Sequence, residues 1–203
     1  MPYPLSELEQ EEILHSKIEL SLDNFSLAWR VADLLIEYGE GELRPPQATV
    51  VLAGEGRSVK IPGTSCGFFT TPVVQMAILD CRRTLEFFGI TRDSKSDLLK
   101  PITRRQNDDL GIEHFGLPLV SPKRFLATIG EVVNGSGETL LLDVHRWSNK
   151  RLAHFTLSDA SVTLQTIRDS SKAMIEAYLV LLFDALGRQR PRIQPISFNE
   201  SKP

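Results

Sequence analysis

The chain has 203 residues, of which 41% are hydrophobic and 24% are charged, and its formal net charge is −3. This length and composition are typical of one globular domain that can bury a core. The slightly acidic balance excludes a protein that coats nucleic acid through bulk charge, so any polyanion site must be a local basic patch.

The N-terminal segment and the apolar runs give no sign of secretion or membrane insertion. The N-terminal segment is acidic and lacks the basic and apolar regions of a secretory signal. The longest apolar run, Ala177–Phe183, is much shorter than the roughly 20 residues that cross a bilayer. Cys66 and Cys81 form no disulfide framework. We therefore expect a cytoplasmic protein without membrane contact.

The N-terminal part of the chain is predicted to be helical. Ser6 and Glu9 have the spacing of a capping box, which predicts the start of a helix. Asp23 or Asn24 caps a second helix, or the first helix continues. The apolar stripe of this second stretch comprises Leu27, Val31, Leu34, Leu35 and Tyr38. Gly39 is the predicted end of the helix.

A β-hairpin is predicted to interrupt the helical body. The runs Thr49–Ala53 and Ser58–Ile61 have strand-like composition, and Gly54–Arg57 between them has the composition of a turn. We therefore expect a hairpin near residues 49–61, within an insertion at about 45–65.

Helical segments are predicted for much of the remaining chain. A proline follows Thr71 and Ser121, which predicts helices that begin there and run to Phe88 and Ile129. Residues 90–120 are polar and rich in turn residues, so we expect a long loop with short helices. The last helix follows residue 159 and ends at Gly187. The prediction is a mainly α helical bundle over residues 1–187, followed by a flexible basic and polar tail at 188–203.

The segment Leu140–Phe155 is predicted to form an amphipathic helix. At about 100° per residue, one side carries the residues that can face a core: Leu141, Val144, Ser148, Leu152 and Phe155. The other side carries Asp143, Arg146, Trp147, Lys150 and His154. A histidine aligned with two cations suits acid–base chemistry on a phosphodiester. An ordinary solvated helix face is the alternative.

Metal and phosphate-loop chemistry find little support in the sequence. The four histidines, His15, His114, His145 and His154, lack metal-ligand spacing. The turn Gly54–Arg57 lacks the lysine and the following helix of a phosphate loop. We expect neither a metal nor a cofactor.

The stretch Ser148–His154, Ser-Asn-Lys-Arg-Leu-Ala-His, resembles the HEPN family of helical domains. Many members of that family carry Arg-Asn-Lys-x-x-Ala-His near the end of the penultimate helix. The segment Cys81–Gly89 is similar to an earlier helix of such proteins. The resemblance covers about residues 71–187 and leaves the hairpin outside. It implies an up-and-down bundle of four or five helices that forms a homodimer.

Catalytic members of the family cleave RNA without a metal, through an arginine and a histidine from both subunits in a shared cleft. The resemblance implies that Asn149 and His154 are site residues and that His154 acts as general base or acid. Ser148 stands where the family has its arginine, and it carries no charge. Arg146 or Arg151 would have to offset the phosphate charge instead.

Two functions follow from this resemblance. The first is a metal-independent endoribonuclease or toxin- or defence-type effector, whose catalytic residues would be His154, Asn149, Arg146 and Arg151. The alternative is a non-catalytic HEPN-like module that binds a nucleotide, RNA or a protein partner, because Ser148 replaces the motif arginine. The polyanion-binding residues would be Lys150, Arg151 and Arg146, and an antitoxin-like protein is a candidate partner. A purely structural protein without a polyanion site is a third alternative.

Overall fold

The fold is mainly helical, as the sequence predicts. The computed structural model describes residues 4–37, 47–54, 57–103, 105, 109–133, 136–148 and 163–193. Its helices are α1 (Glu7–Ile13), α2 (Glu19–Glu37), α3 (Cys66–Phe88), α4 (Pro122–Ile129), α5 (Gly137–Trp147) and α6 (Leu164–Tyr178). Its strands are β1 (Gln47–Gly54), β2 (Arg57–Ser65), β3 (Ile90–Arg92) and β4 (Leu99–Pro101). Each pair of strands forms a separate two-stranded sheet.

The predicted capping box at the start of α1 is confirmed. The Ser6 hydroxyl accepts a hydrogen bond from the backbone N–H of Glu9, and the Glu9 carboxylate accepts one from the N–H of Ser6 at 2.8 Å. The helix then continues through a π-helical turn, Leu14–Ile18, directly into α2. Of the two alternatives left open by the sequence, the first helix therefore continues, and neither Asp23 nor Asn24 is a cap.

The buried stripe of α2 differs from the predicted one. Its buried apolar residues are Leu22, Phe25, Ala28, Val31 and Ala32. The prediction was wrong at Leu27, Leu34 and Leu35, which are half-buried, and Tyr38 lies outside the described residues. The helix α6 packs against α2 and buries two alanines of its own, Ala173 and Ala177. The side chains at a helix contact determine how closely the two helix axes approach. A sequence pattern based on large apolar residues does not detect a contact made by alanines, so it selects other residues of α2.

The predicted β-hairpin is confirmed. Strands β1 and β2 pair antiparallel, with Val50 opposite Ile61 and Gly54 opposite Arg57. A bulge shifts the register between Ala48 and Val50. Both strands are longer than the sequence pattern indicates, and the turn residues 55–56 lie outside the described residues.

Helix α3 begins earlier than predicted. It starts at Cys66, so Pro72 lies inside the helix and the prediction that it occupies the first helical position was wrong. A proline removes one backbone hydrogen bond, but it does not prevent a helical turn from forming before it. The helix ends at Phe88 as predicted, because Gly89 adopts a φ of 86° that favours glycine.

Residues 90–120 contain a small hairpin that the sequence reading missed. Strands β3 and β4 pair antiparallel, and a 3₁₀ turn follows at Ile112–Phe115. The expectation of a long loop with only short helices was therefore wrong for this segment. Each strand has three residues, which is too short to show a period-2 pattern. The fully buried Ile90 anchors the hairpin in the core.

Helix α6 lies at the centre of the bundle. It packs against α2, α3, α4 and α5, and it is buried along most of its length. The Tyr178 ring lies 5.4 Å from the Phe88 ring, which in turn lies 5.6 Å from the Phe125 ring. The Thr84 hydroxyl is 3.2 Å from the Tyr178 hydroxyl, which gives this buried phenol a polar partner. These contacts join α3, α4 and α6 into one core.

The bounds of α4 agree with the prediction, but α5 begins earlier than predicted. Ser121 caps α4, and its hydroxyl accepts a hydrogen bond from the N–H of Arg124 at 3.2 Å. Ser136 caps α5, which starts at Gly137 instead of Leu140. A π-helical turn, Leu179–Asp184, extends α6, and the chain leaves the helix at Gly187 with a φ of 65°.

The described part of the predicted flexible tail contacts the bundle. Arg188 donates to the Glu11 carboxylate, and Arg190 forms a two-point ion pair with Asp184 at 2.6 and 2.9 Å. Ile193 packs against the core, and residues 194–203 lie outside the described residues. None of the helices in the described ranges combines the length and the apolar character needed to cross a membrane.

Candidate functional site

The predicted site residues divide between two parts of the chain. Asn149, Lys150, Arg151 and His154 lie outside the described residues, as do Leu152 and Phe155 of the predicted apolar stripe. Arg146 lies in the last turn of α5, and Ser148 ends that helix. The roles of the first four residues therefore remain predictions.

The described part of α5 has the predicted amphipathic orientation. Leu141, Val144 and Ser148 on the predicted core side are each 0% exposed. On the opposite side Asp143 is exposed, and Trp147 is half-buried and packs against the core. The side chain of Arg146 is 35% exposed. This part of the helix therefore presents the polar face that the sequence predicts.

Arg146 connects α5 to the hairpin β3–β4. It donates to the carboxylates of Asp97 and, at 2.5 Å, Asp143. The Nε of Arg92 donates to the other oxygen of Asp97 at 2.6 Å. Hydrogen bonds from Arg146 and then from Arg92 lower the pKa of Asp97, and the bond to Asp97 raises the pKa of Arg146. Two carboxylates therefore offset the charge of this predicted site residue.

Ser148 faces the core. It is fully buried, and its hydroxyl donates to the backbone carbonyl of His145 at 2.8 Å. The buried hydroxyl therefore has a hydrogen-bond partner in the preceding turn, at the C-terminal end of α5. The position that carries the arginine in the HEPN motif is therefore buried here and has no access to solvent.

His145 is a buried ionisable residue that the sequence reading did not select. It is 5% exposed, and its pKa is lowered, chiefly by burial and then by the nearby charge of Arg82. Glu86 opposes that effect and Arg92 adds to it. The imidazole therefore favours its neutral form near neutral pH. The electrostatic effect of Arg82 and Glu86 also shows that the last turn of α5 lies close to the charged face of α3.

A cleft opens beside that charged face, which contributes Arg82 and Glu86 to its lining. Its volume is about 910 Å³, and it lies among the π-helical turn before α2, the outer face of α3, and strand β4 with the segment that follows it. Its cationic lining residues are Lys17, Arg82, Arg83, Lys100 and Arg105. Its carboxylates are Asp80, Glu86 and Asp109. The volume falls within the range of roughly 300–1,000 Å³ that is usual for ligand sites.

The cations of this cleft differ in how their charge is offset. Arg105 is largely buried, pairs with Glu113 at 2.6 Å and donates to the Phe87 carbonyl at 2.9 Å, so it has a structural role. The side chain of Arg83 is 71% exposed and lies 3.3 Å from Asp80. Lys17 is also exposed. Lys17 and Arg83 are therefore well placed to meet an anion from solution.

Glu86 follows Arg82 by four residues and Arg83 by three, a spacing that predicts ion pairs on the helix surface. Arg82 does pair with Glu86 at 2.9 Å, but Arg83 pairs with Asp80 instead. Asp80 is 4% exposed and also accepts a hydrogen bond at 2.8 Å from the amide of Asn24 on α2. A cleft between two distant segments has no sequence signature, although the adjacent arginines indicate one of its walls.

Among the described residues, no group of three or more His, Cys, Asp and Glu side chains could hold a metal ion. No protein-family model, curated protein or solved structure matches this chain. The resemblance to the HEPN family therefore remains a prediction from the residues quoted above.

Proposed function

We propose that this chain is a HEPN-like helical module that binds RNA or a nucleotide through its phosphates and does not cleave it. The observation that carries the proposal is the cleft beside α3, whose lining includes the exposed cations Lys17 and Arg83 from different helical segments. Local positive charge of this kind binds phosphates even when the whole protein is slightly acidic. The cleft volume suits a nucleotide or one segment of a single strand.

The proposal excludes cleavage because of the environment of α5. Ser148 is buried where the family motif has its arginine, so this position supplies no charge to a substrate. Arg146, the first substitute, has the carboxylates of Asp97 and Asp143 beside it, and these oppose the additional negative charge that develops in a transition state. The remaining substitute, Arg151, lies outside the described residues. A phosphodiester transition state needs a cation aimed at its developing charge.

The test compares two double charge reversals that change the net charge equally. Lys17→Glu/Arg83→Glu removes the exposed cations of the cleft, whereas Lys123→Glu/Arg124→Glu removes two exposed cations of α4 outside it. A fluorescent single-stranded RNA of twelve nucleotides is titrated at several salt concentrations, with ATP as a competitor. We expect the cleft variant to bind at least tenfold more weakly, and its log K against log salt slope to fall by roughly 1.4.

The control variant should keep most of the affinity. Equal loss in both variants would show that only net charge matters, and no loss in either would reject the cleft as the binding site. Competition by ATP would identify the phosphates of a single nucleotide as sufficient. Binding of RNA without such competition would indicate that a longer strand is required.

A metal-independent ribonuclease or toxin-type effector is the second candidate. The observation that favours it is the orientation of the described part of α5, which agrees with the amphipathic pattern of the sequence. In that pattern Arg146 and His154 lie on the same side of the helix. The protein and a His154→Ala variant are incubated with structured RNA in EDTA. Cleavage by the unaltered protein alone would establish this function and overturn the first proposal. Equal cleavage, or none from either, would reject it.

The proposal also includes a homodimer and, for the effector, an antitoxin-like protein partner. In the family resemblance, two subunits share the cleft that holds the histidine. Light scattering over a range of protein concentrations measures the mass of the particle in solution. A mass near 22.7 kDa at all concentrations would reject the homodimer.

A further inference from the structure

Two arginines from different elements converge on one carboxylate beside the cleft. Arg92, at the end of β3, donates to one oxygen of Asp97, and Arg146, in the last turn of α5, donates to the other. The side chains are 20%, 35% and 41% exposed for Arg92, Arg146 and Asp97, respectively. Solvent therefore reaches the group in which both guanidinium groups bond the Asp97 carboxylate.

The backbone holds the carboxylate of Asp97 in this place. Asp97 has a φ of 57°, and among the described residues it is the one non-glycine residue with a positive φ. Aspartate and asparagine tolerate this left-handed conformation better than most residues do. The N–H of Asp97 donates to the Asp93 carbonyl at 2.9 Å, which closes the turn between β3 and β4. The turn therefore fixes the acidic group between the two arginines.

Paired guanidinium groups around one oxyanion are the usual means by which proteins recognise a phosphate. We propose that Arg92 and Arg146 form a phosphate-binding site and that Asp97 occupies it as an internal substitute for a phosphodiester. This inference rests on the proposed function, because it adds one further phosphate position for the RNA that the cleft binds. The site shares the hairpin β3–β4 with the cleft, but Thr91 lines the cleft and Arg92 follows it on β3, so Arg92 lies on the other face of the strand.

A second carboxylate makes the arrangement suitable for exchange. Asp143, one turn before Arg146 on α5, bonds the other terminal nitrogen of that guanidinium at 2.5 Å. Arg146 therefore keeps one partner and its orientation when Asp97 moves away. A phosphate that enters has to displace Asp97, so the free protein binds RNA more weakly than its cations would allow.

The variant Asp97→Asn tests this site in the full chain. Asparagine tolerates the positive φ and keeps the shape of the side chain, but it removes the negative charge. We expect it to bind the twelve-nucleotide RNA about tenfold more tightly, which is the effect of one charge-assisted contact. The log K against log salt slope should rise by about 0.7 for the added phosphate contact. Adding Arg146→Gln to this variant should abolish the gain.

The matched control is Asp184→Asn. Asp184 also pairs with an arginine, Arg190, at 2.6 and 2.9 Å, and its removal changes the net charge equally. We expect its RNA affinity to stay within about twofold of the unaltered protein, because in the described part of the chain Asp184 pairs with one arginine, whereas two converge on Asp97. An equal gain in both variants would show a general charge effect and overturn the inference.

Folding of the variant is checked by far-UV circular dichroism. If Asp97→Asn does not fold, Asp97→Gly provides the same loss of charge with a residue that adopts positive φ freely. An unchanged affinity in the folded variant, while Lys17→Glu/Arg83→Glu still weakens binding, overturns this inference and leaves the proposed function standing. If the unaltered protein does not bind RNA, the proposed function fails. A gain of binding by Asp97→Asn would then still support the Arg92–Arg146 site, and no gain would reject it.

Discussion

Restoring the motif arginine by Ser148→Arg should destabilise the protein rather than create a nuclease. Ser148 is 0% exposed, and its hydroxyl bonds the His145 carbonyl at 2.8 Å. An arginine at this position must place a guanidinium among buried side chains or force the end of α5 out of the core. Each outcome is costly, because a buried charge without a partner loses its hydration.

The size of this effect follows from burial and volume. Burying an ion without a partner costs several kcal/mol, and forcing extra volume into a packed core costs about 1–3 kcal/mol. We therefore expect Ser148→Arg to lower the free energy of unfolding by at least about 4 kcal/mol. Ser148→Ala removes one hydrogen bond and should cost about 1 kcal/mol. Since domains have roughly 5–15 kcal/mol in total, the arginine variant should lose at least about a quarter of the stability and, at the lower limit, most of it.

Urea denaturation followed by far-UV circular dichroism measures these differences. Thr139→Arg is the matched control, because Thr139 is exposed on the same helix. It should change the free energy of unfolding by no more than about 0.5 kcal/mol. If Ser148→Arg were as stable as Ser148→Ala, the position would have access to solvent. The argument that this site lacks its arginine for structural reasons would then fail.

Two further predictions concern backbone strain and pH. Gly89→Ala should lower the free energy of unfolding by about 1–2 kcal/mol, which is the cost of a positive φ for alanine. The added Cβ would lie 2.6 Å from Leu119 Cδ2, but Leu119 is exposed and its side chain can rotate away, so this contact should add little. Gly116→Ala, with a φ of 74° and no contact to an added Cβ, is its control, and a loss larger by more than about 1 kcal/mol at Gly89 would show that Leu119 cannot move. Since burial lowers the pKa of His145 in the folded state, the unfolded chain takes up a proton first as the pH falls below about 6.5. The contribution of His145 to the free energy of unfolding should therefore be fully present above that pH and decrease below it by at most about 1.4 kcal/mol per pH unit. Urea titrations of His145→Gln should lack this dependence, and an equal slope in both proteins would contradict the prediction.

Features that depend on neighbouring residues were predictable from the sequence. The Ser6–Glu9 capping box, the Ser121 cap and the end of the last helix at Gly187 each need only a few adjacent residues. The hairpin β1–β2 has a turn-like centre between two strand-like runs, so its pairing is local as well. Such signals act over a few residues whatever the rest of the chain does.

Features that depend on distant segments were not predictable. The buried stripe of α2 is determined by its packing against α6. Helix α6 buries two alanines, and a hydrophobicity pattern ranks alanine low. The cleft joins Lys17, Arg83 and Lys100 from three separate elements, and nothing local links these residues. One of the two partners of Arg146 is Asp97, far away along the chain. These pairings are consequences of packing, and a single sequence carries no record of them.

The central position of α6 has a consequence for how the chain folds during synthesis. Helix α2 leaves the ribosome before its main partner, α6, and α3, α4 and α5 are made between the two. Until then the buried face of α2, with Phe25 at its centre, has no complete surface to pack against. Long-range closure of this kind slows folding and leaves apolar surface exposed in the nascent chain. Synthesis that stalls before residue 164 should therefore yield a chain that needs a chaperone.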